Sequence, residues 1–213
     1  MKKSSKKPNK EEPGGGKDTR GSETRKKILA AAHQEFTQVG LAGARVDRIV
    51  ERAGVNKKML YHHFASKEVL FREILYRGLA EMSEAEAKSP DDLAEDLIYW
   101  RDLIIRNPDW IRLSLWEALN FGPTDIIGEE ARREFWKKGV AHIRREQKCG
   151  MISNQFDPAL VQLFQIALTI FPLLLPHLTE LITGRGPKDP VFLHRQSIFL
   201  KQMANVLQNS GSG

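Results

Sequence analysis

Arg45-Val46-Asp47-Arg48-Ile49-Val50-Glu51-Arg52-Ala53-Gly54-Val55-Asn56-Lys57-Lys58-Met59-Leu60-Tyr61-His62-His63-Phe64 is the stretch that decides the fold. Val46, Ile49 and Val50 recur at helical spacing, Gly54 interrupts, and Leu60 and Phe64 resume the spacing after Asn56. Two helices this short do not persist alone in water, so they must pack on each other and on a neighbour. Val46, Ile49, Val50, Val55 and Leu60 supply that contact, Ala53 permits close approach, and Gly54 can take the positive φ of a tight turn. With those positions buried, Lys57, Lys58, Tyr61 and His62 are left on the outer face of the second helix. A polar, cationic and aromatic face of this kind suits the major groove of duplex DNA. Periodicity alone equally permits an ordinary helical hairpin with a solvated charged face.

Working outward, the neighbour is a helix from Ser22 to Val39, with Ser22 as its N-cap, Ile28, Ala32, Phe36 and Val39 on one face, and Gly40 at its end. Downstream, Ser66 caps a longer helix striped by Leu70, Ile74, Leu75, Leu79 and Met82. Ser89-Pro90, Asn107-Pro108, Asp157-Pro158 and Asp189-Pro190 each set a capping side chain before a proline. They predict helices over 90–106, 108–120, 158–183 and 190–208, with another over 129–148; Pro172 and Pro176 should kink the 158–183 helix. Hairpin signals and alternating strand patterns are missing, so the fold class is all-α with about nine helices. The expected organisation is a basic disordered tail over 1–21, a DNA-binding domain over 22–65, a linking helix plus ligand-binding and dimerisation domain over 66–208, and a loose end over 209–213.

Charge sharpens the partner expectation. The chain of 213 residues carries a net charge of +6, and ten Lys or Arg against four acids in residues 1–27 account for all of it. Basicity gathered beside the short helix pair points to a polyanion there, or, for the tail by itself, equally to a solubilising segment. The single cysteine, Cys149, forms no internal disulfide and no apolar signal segment follows Met1, which together predict a reducing cytoplasm. Pro158–Thr179 carries no formal charge, yet Gln162, Gln165, Pro172, Pro176 and His177 interrupt it, so a helix at a subunit interface is expected there and no membrane span.

These residues resemble the TetR-type bacterial transcriptional regulators. The likeness runs from Thr24 to about Met82 and includes Ile28-Leu29-Ala30-Ala31-Ala32, Phe36, Gly40, Ala53-Gly54-Val55, Leu60-Tyr61-His62-His63-Phe64 and Ser66-Lys67-Glu68-Val69-Leu70-Phe71. The resemblance implies a three-helix DNA-binding unit running into a fourth helix, with operator contacts from Asn56, Lys57, Lys58, Met59, Tyr61 and His62 and a phosphate contact from Lys67. Three positions depart from the family pattern. Arg45 stands where Ser or Thr usually caps the second helix, a loss of about 1 kcal/mol that a phosphate contact by Arg45 could offset; Lys58 stands where Gly is frequent, and Met59 where a small hydroxyl residue is common.

For the second half the resemblance implies a pocket among the middle helices and a homodimer built by 158–183 and 190–208. Trp100, Trp116, Phe121, Trp136, His142 and Gln165 are the expected lining of a pocket for a small, largely apolar effector, although aromatics at helical spacing are more often core. The function so implied is a ligand-responsive regulator, a repressor released from a palindromic operator whose half-sites lie about 34–36 Å apart or somewhat more, acting in the bacterial cytoplasm on the nucleoid. A sequence-independent DNA-binding protein and an activator of the same family are the alternatives. No enzyme, catalytic residue or cofactor is expected, because the six histidines stand apart from any nucleophile or carboxylate-rich partner set. No metal is expected either: His62 and His63 are adjacent on a helix and point about 100° apart.

Overall fold

The computed structural model describes residues 16–121 and 126–209, with no strand among them. They form ten helices: α1 (Gly16–Gly43), α2 (Val46–Ala53), α3 (Lys57–His63), α4 (Lys67–Glu86), α5 (Leu93–Arg106), α6 (Asp109–Phe121), α7 (Glu129–Lys148), α8 (Pro158–Leu174), α9 (Pro176–Thr183) and α10 (Pro190–Asn209). Most of the expected 1–21 tail and the 210–213 end lie outside the described residues. The helix expected to open at Ser22 is already running at Gly16, so Ser22 is an exposed mid-helix residue and not a cap.

Two cores organise these helices. In the first, Ile28, Ala32 and Phe36 of α1, Ile49 and Val50 of α2, Leu60 of α3 and Leu70, Phe71 and Ile74 of α4 are buried together, joined by Leu113 and Ile127. The second gathers Leu93 and Leu97 of α5, Ile143 of α7, Val161 of α8 and Leu200 and Ala204 of α10. Linking the two sets, α4 contributes its first half to the N-terminal core while its last turns run on toward the other.

Local chemistry explains the boundaries. Gly54 takes φ 65°, its N–H bonds the Glu51 carbonyl, and the Val55 N–H bonds the Val50 carbonyl, a closure that needs a left-handed residue. Gly40, at φ 67°, breaks α1 and is covered by Trp116; a Cβ there would come within 2.6 Å of the indole. Asp157 and Asp189 cap as expected, each accepting backbone N–H groups beyond its proline. The other two Xaa-Pro pairs behave differently. Ser89 bonds Asp96 while Asp92 caps α5, and Asn107 reaches back to the Leu103 carbonyl at the end of α5.

Ten helices replace nine because the uncharged stretch divides. Leu175 leaves helical geometry one residue before Pro176, as the proline ring demands of its predecessor, and the two axes meet at 91°. Pro172 stays inside α8. The proline has no N–H for the Leu168 carbonyl, and the Gln196 amide of α10 donates to that oxygen instead, at 3.1 Å.

One polar group fastens α2 to α1. Glu35, only 2% exposed, accepts from the Arg45 backbone N–H at 3.1 Å and from the Arg48 guanidinium at 2.7 Å, with Arg52 3.6 Å away. The α2 start lacks a side-chain cap of its own, and the buried carboxylate from α1 satisfies one of its free backbone donors, the Arg45 N–H. Truncating one member of such a buried pair strands the others. Glu35→Ala should destabilise the protein by about 3 kcal/mol in urea unfolding, and Glu35→Gln, which keeps an acceptor for the Arg45 N–H, by clearly less.

Candidate nucleic-acid interface and ligand cavity

α3 has seven residues, and two contacts hold it. Leu60 is fully buried in the N-terminal core, and the Asn56 side chain accepts from the Met59 N–H at 2.9 Å. Asn56, Lys57, Lys58, Met59, Tyr61 and His62 are consequently all exposed, Tyr61 by 49%, while His63 turns partly inward. The helix therefore presents one contiguous face of two ammonium groups, a phenol, an imidazole and a carboxamide.

Nearby cations fall into two kinds. Arg25, Arg48 and Arg52 serve the fold: Arg25 pairs with Glu73 at 2.8 Å and lies over the Phe64 ring, and the other two meet Glu35. Lys58 has no ion pair among the described residues. Lys57 is bound to Asp47 of α2 at 2.7 Å, and its pKa is raised by that hydrogen bond and charge. Lys67 donates to the Ala44 carbonyl at 3.1 Å, which parks its ammonium beside the start of α2 next to the exposed Arg45; two of its three donors remain for a phosphate oxygen.

A cavity of about 620 Å³ lies between the last turns of α4 and helices α5, α7 and α8. Of the expected lining residues, Trp100, Trp136, His142 and Gln165 face it. Trp116 and Phe121 are not among the residues that line it. Both are on α6, which leans on the N-terminal core: the Trp116 indole N–H donates to the Thr37 carbonyl of α1 over Gly40, and the Phe121 ring stacks on Phe71 at 6.1 Å.

The cavity also holds groups that the aromatic pattern did not disclose. Asp96 accepts a hydrogen bond from the Ser89 hydroxyl, and burial raises its pKa despite that bond and the nearby Trp100 indole and His142. Glu146 meets His142 at 3.2 Å and is likewise raised by burial, with Asp96 and Asp91 adding repulsion. Their sequence signal was weak: Glu146 sits four residues after His142, on the same face of α7 as the buried Ile143. The described residues contain no group of three His, Cys, Asp or Glu able to hold a metal ion.

Helices α8 to α10 leave an apolar surface uncovered, with Leu160, Leu163, Phe171, Leu181, Ile198 and Phe199 among its exposed members. So much exposed apolar surface marks an interaction face. No single described helix is long and apolar enough to cross a membrane.

Against known proteins, residues 28–74 match the family model described as bacterial regulatory proteins, tetR family, and residues 92–179 match the one described as tetracyclin repressor-like, C-terminal domain. The HTH-type transcriptional repressor AcnR of Corynebacterium jeikeium is 33% identical over 136 residues, covering 62% of this chain and 69% of its own. The HTH-type transcriptional repressor SCO4008 of Streptomyces coelicolor is 28% identical over 163 residues, 76% of this chain and 85% of its own. Among solved structures, that of SCO4942 from Streptomyces coelicolor superposes with a TM-score of 0.74 at 26% identity, over 84% of this chain and 97% of that one. Because the Asn56 cap is what keeps the first turn of α3 wound, Asn56→Ala should cost about 1 kcal/mol in thermal or urea unfolding while leaving the second core intact.

Proposed function

The chain belongs to the tetR family of bacterial regulatory proteins and is a DNA-binding transcriptional regulator; from that premise we propose that it is a repressor whose homodimer leaves a near-palindromic operator when a small molecule fills the cavity between α4, α5, α7 and α8. Two relatives named as repressors support the sign of the regulation. The site of action is the cytoplasm, where the operator is.

The observation that carries the reading is the path of α4. Its first turns bury Leu70 and Phe71 beneath the exposed α3 face, and its last turns supply Met82, Ser83 and Glu86 to the cavity wall. A helix of 20 residues is a rod about 30 Å long, so a ligand that moves one end must move the other. Helix α6 braces the rod: Trp110 covers Gly78 of α4, where a Cβ would come within 2.5 Å of the ring, and Trp116 covers Gly40 of α1. A ligand favouring the state with wrongly spaced α3 helices withdraws the dimer from DNA. A complete switch requires a differential affinity of about 5.5 kcal/mol.

In this reading the α8–α10 apolar face is the dimer interface, and the two-fold axis sets α3 and its symmetry mate into successive major grooves. Asn56, Lys57, Lys58, Met59, Tyr61 and His62 address bases and adjacent phosphates, while Arg45 and Lys67 hold the flanking backbone. The domain division proposed with it places the DNA-binding unit over 22–65 and the sensing and dimerising unit over 66–208.

Tyr61→Ala and Lys67→Ala should each weaken binding to a DNA site selected from a random pool by about tenfold in gel-shift titration, with the dimer unchanged in sedimentation. Undiminished affinity in both variants would remove α3 and the start of α4 from the interface. Equal competition by random DNA would mark a sequence-independent binder instead.

A further inference from the structure

We propose that the ligand of the α4–α5–α7–α8 cavity is a cation, an organic amine or ammonium with a flat apolar body, whose charge is received by Asp96 and Glu146. The inference rests on the reading of this cavity as the effector site and narrows the expectation of a largely apolar effector.

The lining carries four carboxylates, Glu86, Asp91, Asp96 and Glu146. Its cationic members, Lys138 and Arg145, are both exposed, and the Arg145 guanidinium donates to His142 Nδ1 at 3.3 Å. Asp96 accepts from one neutral donor, the Ser89 hydroxyl, with the Trp100 indole close by. No described arginine or lysine forms an ion pair with Asp96 or Glu146; His142 pairs with Glu146 and also lies near enough to Asp96 to act on its charge. Elsewhere in this chain the buried carboxylates are met by guanidinium groups, Glu35 by Arg48 and Glu117 by Arg132 at 2.7 Å each. A carboxylate kept from water without a counter-charge is costly, and a ligand cation removes that cost on entering.

Two further observations point to a ligand at the same place. Gln165 is 9% exposed, faces the cavity, and its carboxamide has no hydrogen-bond partner among the described residues, so an amide donor and acceptor are open to a polar group there. Trp100 and Trp136 supply aromatic faces, which attract cations as well as flat apolar bodies. A volume of about 620 Å³ suits a ligand of two or three rings.

The test uses three probes of one shape, 4-biphenylmethylamine, 4-biphenylmethanol and 4-biphenylacetate, titrated calorimetrically into the full-length protein. The amine should bind at least about tenfold more tightly than the alcohol, and the carboxylate most weakly. In the Asp96→Asn/Glu146→Gln variant the amine should fall to the level of the alcohol, whose own affinity stays the same and reports an intact cavity. Absence of amine binding, equal affinity for amine and alcohol, or a preference that survives in the variant would each overturn the proposal. A parallel gel shift separates this inference from the function on which it rests: amine that binds with the stated preference yet leaves the protein on DNA upholds the ligand class and sinks the effector role.

Discussion

A seven-residue helix cannot hold itself together in water, and the exposed face proposed to read DNA stands on one. α3 exists because Leu60 is buried against α1, α2 and α4, and α2 is in place because Glu35 ties it to α1. A carboxylate in a core is an unusual fastener, since removing it from water is expensive unless hydrogen bonds and opposite charge compensate. Here it gains both, from the Arg45 N–H and from Arg48, and the geometry they demand fixes α2 and hence the angle at which Gly54 releases α3. Arg45 lacks a capping hydroxyl, and what secures the start of α2 is instead the bond from its own N–H to a carboxylate on another helix.

The N-terminal unit was legible in the sequence because its constraints are local. Gly54, Asn56 and Ser66 act within a few residues of themselves, and the structure has each where its chemistry puts it. Partners distant in the chain were less visible. Glu35 reads as one acid on a mostly apolar arc, and only the folded chain reveals that two arginines, 13 and 17 residues further on, converge on it. The salt bridge between Asp47 and Lys57 was hidden for the same reason, and under the proposed function it would have to open for Lys57 to meet DNA.

The second half was legible in outline and not in detail. Xaa-Pro steps announced helix boundaries, yet whether the residue before proline caps the next helix or closes the last depends on tertiary packing, as Ser89 and Asn107 demonstrate. Tryptophans were harder still, because a large aromatic side chain fills either a core or a cavity wall equally well. Trp100 and Trp136 line the cavity, whereas Trp110 and Trp116 serve as wedges over Gly78 and Gly40. No periodicity separates these fates. The pairing with a glycine on another helix does, and a pairing across the chain is not written into the spacing of either residue.

Those two wedges bear on how sensing could reach DNA. A side chain lodged over a glycine has little freedom: the glycine offers no side chain to yield, and the backbone beneath each indole is already close. α6 thus braces α1 against α4, and in the proposed mechanism a displacement of α4 at the cavity end reaches the N-terminal unit with little loss to side-chain adjustment. Set beside this stiffness, the polar groups of the cavity divide by role. Glu35 and Glu117 are neutralised by arginines and belong to the rigid body, whereas Asp96 and Glu146 lack such partners and sit where the α4 rod ends. With guanidinium partners at the buried Glu35 and Glu117 and none at Asp96 and Glu146, the cavity carboxylates are the groups a cationic ligand would satisfy, at the end of the helix proposed to carry its signal.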